Sequence, residues 1–319
     1  MAVSSPGGRE NLHRISHVPV PPAAGEVTVR HTAIGLNFID VYFRTGLYPW
    51  PVEGDLVTGS EAAGVIEAVG EGVSLRPGQR VAYTLPNGAY CSHRTIAAAH
   101  LVVLPDAISD EVAAAVMLKG LTAHYLLHHS YPVTHEETVV FHAAAGGVGL
   151  IAGQWLAAKG VRAIGTAGGP EKCALARAHG YAEVIDYRNA DFVAEVMALT
   201  DGAGVAAVYD SVGHDTVGKS LKVLQKFGTL VSFGQSSGPA RAFQITDLSV
   251  GSLRLTRPTL FHHTARPGWL QSASADLFAL IAEGKIKVEI GQRFKLEDVA
   301  QAHAALEGRQ TTGSTVLLP

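Results

Sequence analysis

The run Val139-Val-Phe-His-Ala-Ala-Ala-Gly-Gly-Val-Gly149 puts very small residues where a phosphate group would need room. It reads as a dinucleotide fingerprint with alanine in the first glycine position, Ala144-x-Gly146-x-x-Gly149. Gly146 lets the backbone approach a pyrophosphate, and Gly149 lets a helix pack closely on the strand before it. Gly147 and Val148 lie in the turn that leads into the helix expected from Gly149, and the free N–H groups and positive partial charge at a helix start favour an anion. A strand before the run and a helix after it, opening a βαβ unit, supply the context the motif requires. The alternative is a purely structural glycine turn.

The next positions bear on which dinucleotide would bind. An NAD site carries Asp or Glu about twenty residues on, bonded to the adenine ribose. Here the second strand ends Ile164-Gly165-Thr166-Ala167-Gly168-Gly169, with no acid at its tip. Lys172 follows in the next helix, and Tyr187-Arg188 follows the third strand. A missing carboxylate removes repulsion and Lys172 adds positive charge, so NADPH is the expected cofactor. Lys172 also has an ordinary reading as a helix-surface lysine.

Other chemistries find little support. No Ser–His–Asp or paired-carboxylate arrangement stands out. Cys91 and Cys173 are far apart and lack partners at metal spacing, so neither a zinc cage nor a disulfide framework is expected. The pairs His128-His129 and His262-His263 are sequence neighbours that point in different directions. His142, inside the fingerprint strand, reads as a packed imidazole, and Asp40 as either a cap or an acid–base group.

The elements that would position these residues change character along the chain. Val27–Ile34, Gly64–Gly70 and Arg80–Leu85 alternate as short strands, separated by turns such as Arg76-Pro77-Gly78 and Pro86-Asn87-Gly88. They predict a compact, barrel-like β-domain. An alanine-rich helix opens at Asp110-Glu111. From Thr138 strands and helices alternate: strands at 138–142, 161–165, 183–186, 206–210 and 228–233, helices at 149–159, 170–179 and 190–199. Such alternation predicts a parallel sheet covered on both faces. The tail predicts a helix at 275–283, a strand at 285–290, a helix at 296–307 and a last strand at 314–318. The fold class is therefore α/β, with the expected domains at 1–118, 119–256 and, returning to the first, 257–319.

Composition agrees with an ordinary folded enzyme. The 319 residues are 47% hydrophobic and 17% charged, with 35 glycines and a formal net charge of −3. Near-neutral charge without a basic stripe argues against nucleic acid as the main partner. The longest apolar runs are broken well short of a membrane span, and Met1–Gly8 has no signal-like pattern. With few cysteines, the cytoplasm is the expected compartment.

Several blocks occur in a specific order: Ala33-Ile-Gly-Leu-Asn-Phe-Ile-Asp40, Gly46-Leu-Tyr-Pro49, Lys119-Gly-Leu-Thr122, Phe141 to Gly149, Tyr209-Asp-Ser-Val-Gly213, Ser232-Phe-Gly-Gln-Ser-Ser-Gly238 and Thr256-Arg-Pro258. On these the chain resembles, over nearly its whole length, the quinone oxidoreductase (zeta-crystallin) branch of the medium-chain dehydrogenase/reductase superfamily. The resemblance implies a GroES-like β-rich catalytic domain, a Rossmann doubly wound cofactor domain, an active site in the cleft between them, and a homodimer joined through the edges of the cofactor sheets. It implies that Lys172 and Tyr187 hold the adenosine phosphate, with Arg309 near the same cofactor. Ser211, Phe233, Gly234 and Thr122 would lie along the nucleotide, as would Thr166 at the second strand's tip. Asn37 would lie near the nicotinamide, with Tyr42 and Tyr48 lining the substrate cleft. Only Met1–Pro6 precede Gly7-Gly-Arg-Glu10, so the family's first strand is expected to be short.

Zinc-dependent relatives place Cys where this chain has Asn37, and Gly-His-Glu where it has Gly59-Ser60-Glu61. Glu61 alone cannot hold the metal, so no zinc is expected. The resemblance thus implies a zinc-independent NADPH:quinone reductase working by direct hydride transfer. Asn37 would bond an amide or ribose hydroxyl, or else serve only as a turn residue. Tyr42 or Tyr48 would donate to the acceptor oxygen, or only pack. Two rivals are an NADPH-dependent enone or enal reductase, and a weakly catalytic, crystallin-like protein that binds NADPH or RNA.

Overall fold

Six parallel strands form one sheet: β1 (Thr138–Phe141), β2 (Arg162–Ala167), β3 (Glu183–Asp186), β4 (Val205–Asp210), β5 (Leu224–Ser232) and β6 (Arg254–Thr256). Their spatial order is β3-β2-β1-β4-β5-β6. Val139, Val140 and Phe141 are all buried, as expected for a strand with neighbours on both sides and covered faces. Val140 pairs with Ile164 on one side and Val208 on the other, and these join Ile185 and Leu230 in one apolar core. The strand order reverses between β1 and β4. In open α/β sheets the crevice beyond the strands' carboxyl ends at such a reversal is where ligands bind.

The computed structural model describes residues 1–16, 20–241 and 243–319. They divide into two units: Met1–Leu121 with Thr264–Ala282 and Val288–Pro319, and Thr122–His263 with Glu283–Lys287. The second holds the parallel sheet. The first is built on a mainly antiparallel sheet in the order Ile290–Lys295, Ser314–Leu318, Glu26–Leu36, Glu61–Val69, Arg80–Thr84, Val102–Val103. Glu26–Leu36 also pairs with His93–Ala97. Gly64 allows Glu61–Val69 to approach Glu26–Leu36 closely, since a Cβ would sit 2.1 Å from the Arg30 carbonyl oxygen. The first strand is short: Ala2–Val3 pairs with Leu12–His13 and Leu56–Val57 in a small separate sheet. Among the described residues no helix is long and apolar enough to cross a membrane.

Expected bounds shift at several elements, and three differences matter most. The fingerprint helix α1 (Gly147–Ala158) begins two residues before Gly149. The helix expected at 275–283 is the end of a longer one, Trp269–Ala282. The strand expected at 285–290 is absent, and Ile290–Lys295 forms one instead. The reason is tertiary: both backbone groups of Lys287 bond to the Gln154 side chain, which removes them from a ladder. The helix Phe38–Arg44 was not anticipated; its alternating flanks read as strand and turn.

His31 lies in the antiparallel sheet and is buried. One ring nitrogen meets the Cys91 carbonyl at 2.8 Å, and the other the Tyr83 hydroxyl at 3.1 Å. Burial depresses its pKa from 6.5 to about 4. A neutral group favoured by folding contributes its stability fully above 6.5 and loses it as pH falls toward 4. His31→Gln is therefore expected to flatten this limb: its melting temperature should drop less than the parent's between those two pH values, whatever its absolute level.

Candidate functional site

The strand–turn–helix at the sheet reversal has the geometry its sequence promised. Ala143 takes a left-handed backbone, φ 54°, turning the chain sharply after β1. The Ala144 N–H donates to the Thr166 carbonyl of β2 at 3.0 Å, which ties the turn to the next strand. Gly149 cannot be larger: a Cβ would lie 2.4 Å from the Ala143 oxygen and 2.6 Å from that of Ala144. Gly146 caps α1, and the first intrahelical bond runs from Leu150 N to Gly146 O. The N–H groups of Gly147, Val148 and Gly149 thus precede the ladder, as the first turn of any helix leaves its donors available to an anion. Tyr181 braces the helix by donating to the Gly149 carbonyl at 2.7 Å.

The tip of β2 is shaped by an acid the sequence reading passed over. Asp186, ending β3, accepts from the backbone N–H groups of Gly169 (2.9 Å) and Arg188 (3.1 Å), and from the Asn189 amide (2.8 Å). Those backbone bonds lower its pKa and commit the carboxylate to the turn. Gly169 has φ 94°. A Cβ on Gly168 would lie 2.6 Å from the Tyr187 hydroxyl and 3.2 Å from Arg188 Nε. Tyr187 and Arg188 are thus gathered at this tip. Lys172 lies in the first turn of α2 (Pro170–Ala178), which starts there.

Beyond β4 and β5 the remaining nucleotide candidates meet. The N–H groups of Phe233 and Gly234 point to the Asp210 carbonyl, at 2.8 and 3.3 Å. A Cβ on Gly234 would fall 2.7 Å from the Ser211 carbonyl oxygen. The Phe233 ring lies 5.7 Å from that of Phe141. Thr122 is buried at the opening of this unit. Arg309 belongs to the other unit, just past the helix Val299–Glu307, with φ 56°.

In the antiparallel unit Asn37 ends the long strand and caps Phe38–Arg44. Its amide nitrogen donates to Glu61 Oε1 at 2.9 Å. Glu61 is fully buried and also takes the Lys119 ammonium at 2.5 Å and the Leu118 N–H at 2.6 Å. Gly35 makes the space: a Cβ there would lie 2.2 Å from Glu61 Oε1. A carboxylate only accepts, so the amide must present its NH2 to Glu61. The remaining polar atom, Oδ1, is an acceptor that faces the Asp40 N–H in the capping box and has a second lone pair suited to a hydroxyl or an amide N–H. Asp40, another fully buried acid, accepts from the Asn37 N–H, the Ser60 hydroxyl and the Tyr90 hydroxyl at 2.9, 2.6 and 2.9 Å. Burial still pushes its pKa up to about 6. Tyr42 and Tyr48 meet at a tilt of 54° with ring centroids 5.2 Å apart, and the Tyr48 N–H donates to the Tyr42 carbonyl.

Sequence reading missed Lys119 as the counter-charge of Glu61, although it named both residues. Among the described residues no group of three or more His, Cys, Asp or Glu is placed to hold a metal ion. The set Asn37, Ser60 and Glu61 does not fit zinc on its own chemistry. Its one carboxylate is saturated by three donors, and its hydroxyl is spent on Asp40.

Comparison with known proteins gives a consistent result. Residues 23–138 match the alcohol dehydrogenase GroES-like domain, and residues 179–317 a family described as zinc-binding dehydrogenase. A quinone oxidoreductase of Pseudomonas aeruginosa is 52% identical, covering 98% of this chain and 97% of the relative. A 2-haloacrylate reductase of a Burkholderia species is 42% identical over 93% of this chain and 92% of its own. The crystal structure of Escherichia coli quinone oxidoreductase complexed with NADPH superposes with a TM-score of 0.97 at 45% identity, covering 100% of this chain and 99% of that one.

The Glu61–Lys119 pair makes a direct stability prediction. Lys119→Met leaves a buried carboxylate without its counter-charge and should cost about 3–5 kcal/mol in urea denaturation. Adding Glu61→Gln should recover most of that loss. A single variant as stable as the parent would show that the pair is not ionic.

Proposed function

We propose that this protein passes hydride from NADPH to a quinone, on the premise that the chain belongs to the quinone oxidoreductase family. The observation that carries the reading is the cradle at the sheet reversal: three first-turn N–H groups behind a glycine that tolerates no side chain. The pyrophosphate of the cofactor fits these donors. Its 2′-phosphate fits the tip of β2, where Lys172 and Tyr187 gather and Asp186 is turned inward to hold the backbone. Arg309 is assigned to the same cofactor, and Thr122, Thr166, Ser211, Phe233 and Gly234 to the length of the nucleotide. When bound, NADPH supplies the hydride, and a quinone that takes it becomes an aromatic, delocalised anion.

The protein's own residues then have orienting work to do. Asn37 offers an acceptor fixed by Glu61, which matches a ribose hydroxyl or a carboxamide N–H rather than a quinone oxygen. Tyr42 and Tyr48 supply hydroxyl donors for the acceptor oxygen and aromatic faces for the ring. No step requires a metal, because the product anion is stabilised within its own ring and Glu61 is already neutralised by Lys119. Assembly is assigned to the sheet edge. Strand β6 is outermost, and Phe227, Ile245, Val250 and Leu255 expose apolar surface in the same unit. A second copy covering them would give a homodimer. The cytoplasm is the assigned compartment.

Steady-state rates with 1,4-benzoquinone should favour NADPH over NADH, and 2-alkenals should consume little NADPH. Lys172→Ala should raise KM for NADPH roughly tenfold or more, as loss of a charge-assisted phosphate contact does, and barely move KM for NADH. Equal effects on both would remove Lys172 from the phosphate site. Light scattering should give twice the chain mass, and Leu255→Lys with Phe227→Asp should halve it. A parent protein that already runs as a monomer would refute the assembly.

A further inference from the structure

His142 follows β1 directly, is buried, and bonds to the ends of both strands that flank β1. Its Nδ1 lies 2.8 Å from the Thr166 hydroxyl at the end of β2, and its Nε2 lies 3.0 Å from the Ser220 hydroxyl. Ser220 in turn donates to Asp210 Oδ2 at 3.2 Å. The His142 N–H bonds the Tyr209 carbonyl of β4 at 3.0 Å, and Phe192 closes the ring's edge at a centroid distance of 4.9 Å.

The directions of these bonds follow from one fact. A carboxylate only accepts, so the Ser220 proton points at Asp210 and the Ser220 oxygen is left to accept from His142. Nε2 must therefore carry the ring proton. Burial keeps the ring neutral by lowering its pKa, so Nδ1 is bare and takes the Thr166 proton. The result is a single directed chain: Thr166 to His142, His142 to Ser220, Ser220 to Asp210.

Asp210 spends its other oxygen on the turn after β4. Oδ1 accepts from the N–H groups of Val212 (2.8 Å) and Gly213 (3.0 Å), which fixes the path of Ser211. Its backbone carbonyl holds Phe233 and Gly234. The chain thus links the β1 turn, the tip of β2 and the turns after β4 and β5, none of which are neighbours in sequence. The members resemble a hydrolytic triad in type only. Asp210 meets the serine rather than the histidine, and Ser220 is wholly buried, so no nucleophile is presented.

We propose that His142, as the neutral Nε2–H tautomer, is a positioning residue that sets the nucleotide-binding turns through Ser220 and Asp210. This rests on the cofactor reading above and assigns the residue no contact with NADPH. The tautomer is testable without any cofactor. In protein labelled with 15N-histidine, two-bond proton–nitrogen correlations should show one ring in the Nε2–H form that is lost in His142→Asn. An Nδ1–H or doubly protonated ring at that position would overturn the proposal.

The positioning role is read from NADPH binding, by tryptophan fluorescence or calorimetry. Ser220→Ala cuts the chain and should weaken binding roughly tenfold, the cost of one buried hydrogen bond and its stranded partner. His142→Asn keeps an acceptor for Thr166 but cannot reach Ser220, and should act alike. Combining the two should cost little more than either, because both sever one chain. KM for the quinone should move less than twofold. Binding unchanged in both variants, fully additive losses, or equal losses toward quinone would each overturn it. A parent that ignores NADPH overturns the function and this role together, whereas the tautomer spectrum stands apart from that result.

Discussion

A carboxylate taken out of water must be met by donors, and three fully buried acids, Asp40, Glu61 and Asp210, organise this protein around that demand. Each is satisfied by groups from separate stretches of chain. Asp40 gathers the Asn37 backbone, Ser60 and Tyr90. Glu61 gathers Asn37, Leu118 and Lys119. Asp210 gathers Ser220 and the turn at Val212–Gly213. Removing any one acid would strand several donors, so the local geometry is fixed well beyond what apolar packing alone would give.

These acids bear on chemistry by orienting other groups. Glu61 decides which end of the Asn37 amide is presented, and so turns a side chain with two possible polarities into an acceptor. Asp210 decides where Ser211, Phe233 and Gly234 lie. Asp186 does the same at the solvent edge, where its carboxylate holds the Gly169 turn. For a hydride donor that carries its own reactivity, such orientation is what a protein can add. Around Glu61 and Asp210 the bonds are enclosed, conditions in which a fixed dipole acts more strongly than it would in water.

The parallel sheet supplies the frame. Its order reverses beside β1, so the fingerprint turn faces a crevice rather than a neighbouring crossover. The residues named from sequence around the nucleotide fall into three groups there. Ala144 to Gly149 form the cradle, Thr166, Lys172 and Tyr187 collect at the β2 tip, and Ser211 with Phe233 and Gly234 sit past β4 and β5. Asn37, Tyr42, Tyr48 and Arg309 belong to the antiparallel unit.

Sequence by itself determined what depends on neighbours along the chain. The alternation of strands and helices from Thr138 on, the tight turn into α1 and the lack of an acid within Ile164–Gly169 are local patterns of size and polarity, and they were legible, whereas Asp186 reaching that tip from β3 was not. The boundary of α1 was read two residues late, because a glycine-rich start carries no capping side chain to mark it. Tertiary structure decided what depends on residues meeting across the fold. Glu61 and Lys119 are 58 positions apart, and His142 and Ser220 are 78 apart. No spacing rule links such pairs, and the strand expected at 285–290 gave way to a side chain reaching from Gln154. A pattern fixes which face of an element is buried; only the packed chain determines which donor meets which buried charge, because that match is made in three dimensions.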